Sequence, residues 1–150
     1  MNILYTKAMA LQATADLDWD NAGTVIKCML ERSTSTYTPD KDHDFRDDLT
    51  GFVEISVASY TSGGETLASK AVNIDDANDR VEIDFADIDF GTLEAGQTVD
   101  ALVFYQDTGN AATDVLIAYI DTATGLPAVL GGGNFDVTID SEGFIQISQA

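Results

Sequence analysis

Through most of the chain apolar side chains recur at every second position, the period of a strand with one face in a core and the other in water. Val81, Ile83 and Phe85 alternate with Glu82 and Asp84; Phe135, Val137 and Ile139 alternate with Asp136, Thr138 and Asp140. A helix would repeat its apolar residues every three or four positions, and that spacing occurs only near the start. The acidic residues point the same way. Twenty of the 26 are Asp and six are Glu. The short Asp side chain bonds nearby backbone N–H groups and favours turns and caps, whereas Glu favours helix interiors. The chain is predicted to be all-β.

Residues 4–13 are the best helix candidate, with good helix formers and Leu4, Ala8 and Leu11 on one face. They read equally as an N-terminal arm that orders only against a partner. Strands are predicted over 24–30, 52–60, 66–72, 80–85, 99–106, 115–120, 135–139 and 144–148. The segments 99–106 and 115–120 are the most apolar and are expected at the centre, joined by a hairpin loop over 107–114. Residues 33–50 form a polar connection with a helical turn around Phe45. Ser62–Gly64 and residues 73–79 are turns, and Ser141–Gly143 is expected to close a second hairpin between the last two strands. Together these give a single β-sandwich or jelly-roll-like domain of about eight strands over 21–150, with residues 1–20 as a short N-terminal helix or arm.

A length of 150 residues is about one domain's worth and can bury a real core. The net charge is −19, from 26 acidic and 7 basic residues. Such a chain repels phosphate, which excludes binding nucleic acid through its backbone, and it has no Lys/Arg face for an anionic membrane. No apolar run approaches the ~20 residues of a spanning helix. The start, Met1 to Ala8, has no charged leader before a continuous apolar stretch, so no secretory signal is expected.

Catalysis needs a nucleophile with a base, a tuned acid pair or a metal. Cys28 and His43 are the only residues of their kinds. Cys28 alternates with Ile26 and Leu30 on a predicted core face, where a thiol acts as a small hydrophobe, and His43 sits among aspartates in a solvated loop. No Gly-x-Ser-x-Gly elbow or phosphate-cradling loop occurs. No catalytic residue and no cofactor are expected.

Asp40, Asp42, Asp44 and Asp48 stand at the first, third, fifth and ninth positions of a calcium-loop pattern. Phe45 occupies the place that needs Gly, and Gly51 the place of the closing bidentate Glu. An EF-hand therefore fails, leaving a weak calcium candidate against the plainer reading of a solvated acidic loop. The Asp16/Asp18/Asp20, Asp75/Asp76/Asp79 and Asp84/Asp87/Asp89 groups read the same way.

A series of short motifs runs in order through nearly the whole chain. It starts with Ala8-Met-Ala-Leu11, Cys28-Met-Leu30, Tyr37-Thr-Pro-Asp40, His43-Asp-Phe-Arg-Asp47 and Gly63-Gly-Glu-Thr-Leu67. Val103-Phe-Tyr105, Asp107-Thr-Gly109 and Leu116-Ile-Ala-Tyr-Ile-Asp121 come next, followed by Gly132-Gly-Asn-Phe-Asp-Val-Thr138 and Gly143-Phe-Ile145. Their order resembles a family of small structural proteins of tailed bacteriophages. The resemblance implies a non-enzymatic β-sandwich of the virion: a capsid decoration (cement) protein stabilising the outer head surface or, alternatively, a tail, neck or fibre part. Its implied partners are the major capsid protein or other virion proteins and further copies of itself, a trimer fitting local three-fold positions. It carries no catalytic residue, and the stretch from Tyr37 to Asp48 would shape a loop or intersubunit contact. Residues 1–20 are the expected docking arm, removable without loss of the β fold. A calcium- or carbohydrate-binding β-sandwich module is the reading from a different class.

Overall fold

The computed structural model describes residues 1–148. Strand β1 (Asn2–Leu4) leads into the helix α1 (Thr6–Ala13), and β2 (Ile26–Arg32) follows. After a long connection come β3 (Glu65–Thr66), β4 (Ala71–Asp75), β5 (Arg80–Asp84), β6 (Ile88–Thr92) and β7 (Thr98–Gln106). The chain ends through β8 (Leu116–Ile120), β9 (Ala128–Val129), β10 (Asn134–Val137) and β11 (Ile145–Ser148). The main sheet has the order β1-β8-β7-β2-β3, with β9 pairing the start of β7. Opposite it lie a three-stranded sheet, β11-β5-β4, and a pair, β10-β6. Every pairing is antiparallel. The all-β, sandwich-like expectation holds, with β7 and β8 in the interior of the main sheet as their apolar runs require.

Alternation sorts the main sheet's residues between two cores. Ile26, Cys28, Leu30, Leu102 and Phe104 face the other sheets and meet Ile83, Phe85, Ile88 and Phe90. Met29, Ala101, Val103, Tyr105 and Tyr119 point the other way, against Ile3, Tyr5 and Tyr37, with Leu49 and Phe52 packed alongside. The connection between β2 and β3 thus covers the back of the main sheet. This third layer explains why β7 and β8 are apolar on both sides.

Several local expectations change. Residues 52–60 do not form a ladder strand. Glu54 makes a single bridge to Glu31, then its carboxylate accepts from Tyr60 Oη (2.6 Å), Ser62 Oγ (3.2 Å) and Gly63 N (2.7 Å), which folds the chain back on itself. The predicted strand 66–72 is split into β3 and β4, with Ser69 between them at a φ of 53°. Strand β4 continues through Asp75, so the turn expected over 73–79 begins only after it. The last two strands do not pair with each other: β10 pairs β6, and β11 pairs β5. Residues 80–83 pair with 145–148 and residues 88–92 with 134–137, two separate antiparallel ladders that replace the expected hairpin. Strands β1, β6 and β9, of three, five and two residues, lie outside the predicted segments.

The N-terminal segment packs into both cores. The helix forms over 6–13, but β1 pairs β8, and Tyr5, Leu17 and Trp19 are buried. Trp19 Nε1 donates to Asp84 O at 3.1 Å, and its ring lies 6.0 Å from Phe85 and 6.2 Å from Phe144. Deleting residues 1–20 would open both cores. Among the described residues no helix is long and apolar enough to cross a membrane.

Candidate functional site

The back layer holds His43 and the four aspartates of the calcium pattern. Its chain is fastened by backbone: Phe45 bridges Val115, Arg46 N donates to Asp114 O (2.9 Å) and Leu116 N donates to Asp44 O (3.0 Å). Arg46 Nε then reaches Asp114 Oδ2 at 2.7 Å, while its guanidinium lies 5.2 Å from the centre of the Tyr105 ring. Asp114 is fully buried, and its Oδ1 also accepts from Thr108 N (2.7 Å) and Thr108 Oγ1 (2.8 Å). Burial alone would raise this carboxyl, but the donors from Thr108 and Arg46 outweigh it and hold Asp114 below the usual carboxylate range. The charge is stabilised where it stands, so Asp114 acts as a clamp between the 44–48 loop and the β7–β8 hairpin.

Beneath the loop lies a buried polar cluster that sequence reasoning missed. Tyr119 Oη donates to Glu31 Oε2 at 2.6 Å. Tyr5 Oη, Tyr37 Oη and His43 Nδ1 form a chain with steps of 2.9 and 2.8 Å. Burial, then the Glu31 partner, raises the Tyr119 hydroxyl above its ordinary range; burial, then Tyr37, does the same for Tyr5. These phenols stay neutral and serve as hydrogen-bonding pins. The signal that could have found it is Glu31 directly after the apolar run Cys28-Met29-Leu30.

Cys28 and His43 belong to opposite faces of the main sheet. Cys28 sits in the front core, where burial raises its thiol well above the ordinary value, and His43 sits in the back layer against Tyr37. A thiolate–imidazole pair cannot form across the sheet. The four aspartates of the calcium pattern share a loop without sharing a centre. Asp40 Oδ1 accepts from Asp42 N (3.1 Å), and Asp44 pairs with Lys7 at 3.5 Å. Asp48 Oδ2 turns inward to accept from Asp44 N and Phe45 N (2.8 and 2.9 Å), capping a short 3-10 turn over Arg46–Asp48. Those two donors lower the Asp48 carboxyl. Among the described residues no three Asp, Glu, His or Cys side chains gather as a group that could hold a metal ion. In the other acidic groups, Asp75, Asp84, Asp87 and Asp89 likewise accept from backbone N–H groups, here of Ala77, Phe85, Ile139 and Gly91. Turn geometry is the main use of these aspartates.

The surface carries one feature of another kind. In the three-stranded sheet the register aligns Val72 with Ile83 and Ile145, and Ile74 with Val81 and Ile147. All six side chains are on the face that looks toward the body. Ile83 and Ile145 reach the core, whereas Ile74 is 76% and Ile147 56% exposed. The hairpin β4–β5 and the end of β11 therefore overhang the sandwich with their apolar underside in water. The upper face carries Asn73, Asp75, Arg80, Glu82 and Gln146, where Arg80 is bonded to Asp75 and Gln146 and paired with Glu82 and Glu142. Underneath, Leu4, Ala8, Met9 and Ala13 form the opposite wall of a groove of about 590 Å³ whose near wall is Ile145 and Ile147.

Comparison with known protein families, curated proteins and solved structures finds no match to this chain.

Proposed function

We propose that the protein is a non-enzymatic structural component of a tailed-phage virion, a decoration protein that docks on the major capsid protein and stabilises the outer head surface. The observation that carries this reading is the overhanging apolar sheet face, held in water on a body of net charge −19. Exposed apolar area of this kind marks a surface made to be covered, while a strongly acidic exterior keeps crowded copies from clumping. The rest of the molecule is suited to a passive load. Both faces of the main sheet are packed, and among the described residues every buried side-chain nitrogen and oxygen has a hydrogen-bond partner. The ordered motifs from Ala8 to Ile145 support the same reading.

Quantitative mass spectrometry of gradient-purified particles of the encoding phage tests it. Near parity with the major capsid protein is the expected result. A few to a few tens of copies would move the protein to the neck, tail or fibres. Its absence from particles would overturn the virion reading altogether.

A further inference from the structure

We propose that the underside of the overhang docks an amphipathic segment of a partner protein, its apolar side chains against Ile74, Val81 and Ile147 and its Lys or Arg residues toward the hairpin tip. The inference rests on the docking part of the reading above and not on the virion.

Strict alternation makes the face apolar, and geometry leaves it bare. Val72 and Ile74 on β4, Val81 on β5 and Ile147 on β11 share one side of the sheet and stay outside the core that receives Ile83. Ile74, Val81 and Ile147 line a shallow pocket of about 360 Å³, and Ile147 continues into the groove against Met9 and Ala13. Among the described residues an apolar strip thus runs from α1 to the hairpin tip, open along its length.

Charge chooses the occupant. Asp76 and Asp79 line the same shallow pocket, beside Asp75, whose carboxylate bonds Arg80. Its one cation, Arg80, is already engaged by Asp75, Glu82 and Glu142. The rim is therefore negative, and a segment with basic flanks complements it. A second copy would bring an identical acidic tip and another −19 of charge to the contact, a like-charge juxtaposition that disfavours docking. An anionic lipid surface is disfavoured for the same reason.

The test measures fluorescence anisotropy of two labelled peptides against the full chain. Both place Leu at helical spacing; one fills the remaining positions with Lys, the other with Glu. The Lys peptide should bind and the Glu peptide should not, and the double variant Ile74→Ser, Ile147→Ser should bind the Lys peptide about tenfold more weakly. Both substitutions are at exposed positions, so an unchanged melting temperature shows that the fold persists. Equal binding of the Lys peptide to variant and parent would overturn the proposal, since charge alone would then explain it. Equal binding of the two peptides would remove the basic partner. Sedimentation of the free chain supplies the last arm: parent and variant should sediment alike. A parent heavier than the variant would show that a second copy covers the face. None of these outcomes depends on how many copies a particle contains.

Discussion

Tyr119 and Glu31 sit two strands apart in the main sheet, and the Tyr119 hydroxyl donates to the Glu31 carboxylate at 2.6 Å, where both side chains are buried. No other side chain or backbone group bonds that carboxylate among the described residues. Tyr119→Phe therefore strands it, and should lower stability by about 1–3 kcal/mol, the cost of leaving one buried acceptor unsatisfied. Thermal unfolding reads this as a fall on the order of 2–4 °C per kcal/mol for a chain of this length. Replacing both partners, Glu31→Leu with Tyr119→Phe, should recover part of the loss, because the unpaired group leaves with the bond. A double variant less stable than Tyr119→Phe alone would show that the pair contributes more than the satisfaction of Glu31.

The clamp at Asp114 predicts a pH dependence. Thr108 and Arg46 overcome the effect of burial and hold this carboxyl below its value in the unfolded chain. A group whose folded value is depressed adds stability above its unfolded value, near 4, and the contribution is lost as pH falls through the folded value. The stability difference between parent and Asp114→Asn should thus be full at neutral pH and shrink below about 4. Asp48 and Asp107 are lowered as well, by the backbone donors of Phe45 and Asp44 and by Lys27 respectively, so the parent's acid transition is steeper than Asp114 alone would give. Chemical denaturation from pH 7 to 3 checks this. A difference that stayed constant across the range would remove the clamp's electrostatic role.

Gly64 and Gly109 separate backbone strain from collision. Both have positive φ, 78° and 83°. A Cβ on Gly64 would come within 1.8 Å of Cys28 O and 2.6 Å of Met29 Cα, while nothing stands within 4 Å of one on Gly109. Gly109→Ala should cost about 1 kcal/mol from φ alone. Gly64→Ala must also push the 61–66 turn off β2, and should cost upwards of about 4 kcal/mol or prevent folding. Urea midpoints of the two variants rank them directly, and similar midpoints would contradict the close approach at Gly64.

What the sequence made legible was period. Alternation located β2, β5, β7, β8, β10 and β11, and the Asp-rich punctuation located most turns. Pairing was less legible, because period 2 fixes a strand's faces without naming its neighbour. Phe135 packs 5.8 Å from Phe90 and Ile145 aligns with Ile83, so distant partners, not the tight Ser141–Gly143 turn, decide where β10 and β11 belong. The strands β1 and β9 are too short to show a period at all. In the 40–48 loop, aspartates at calcium-like intervals serve as caps and tethers. The clamp, the phenol chain and the overhang all depend on contacts between residues far apart in sequence: Arg46 with Asp114, Tyr5 with Tyr37, Val81 with Ile147.

Trp19 offers the test of whether the first twenty residues belong to the body. It is the chain's one tryptophan, so intrinsic fluorescence reports on this position alone. Its indole is nearly fully buried, donates to Asp84 O and stands beside Phe85 and Phe144, which themselves pack on Phe104 of the main sheet. The ring therefore joins the N-terminal segment to both layers. Trp19→Ala should cost about 3–5 kcal/mol through lost burial and an unfilled cavity. Removing residues 1–20 also strips β1 from the edge of β8 and Tyr5 from the back core, and should leave a chain without a cooperative thermal transition. In the intact protein the emission should be blue-shifted and should move to the red in the same transition seen by far-ultraviolet circular dichroism. A truncated chain that melted cooperatively, or a fluorescence change well before loss of sheet signal, would mean that the segment folds apart from the body.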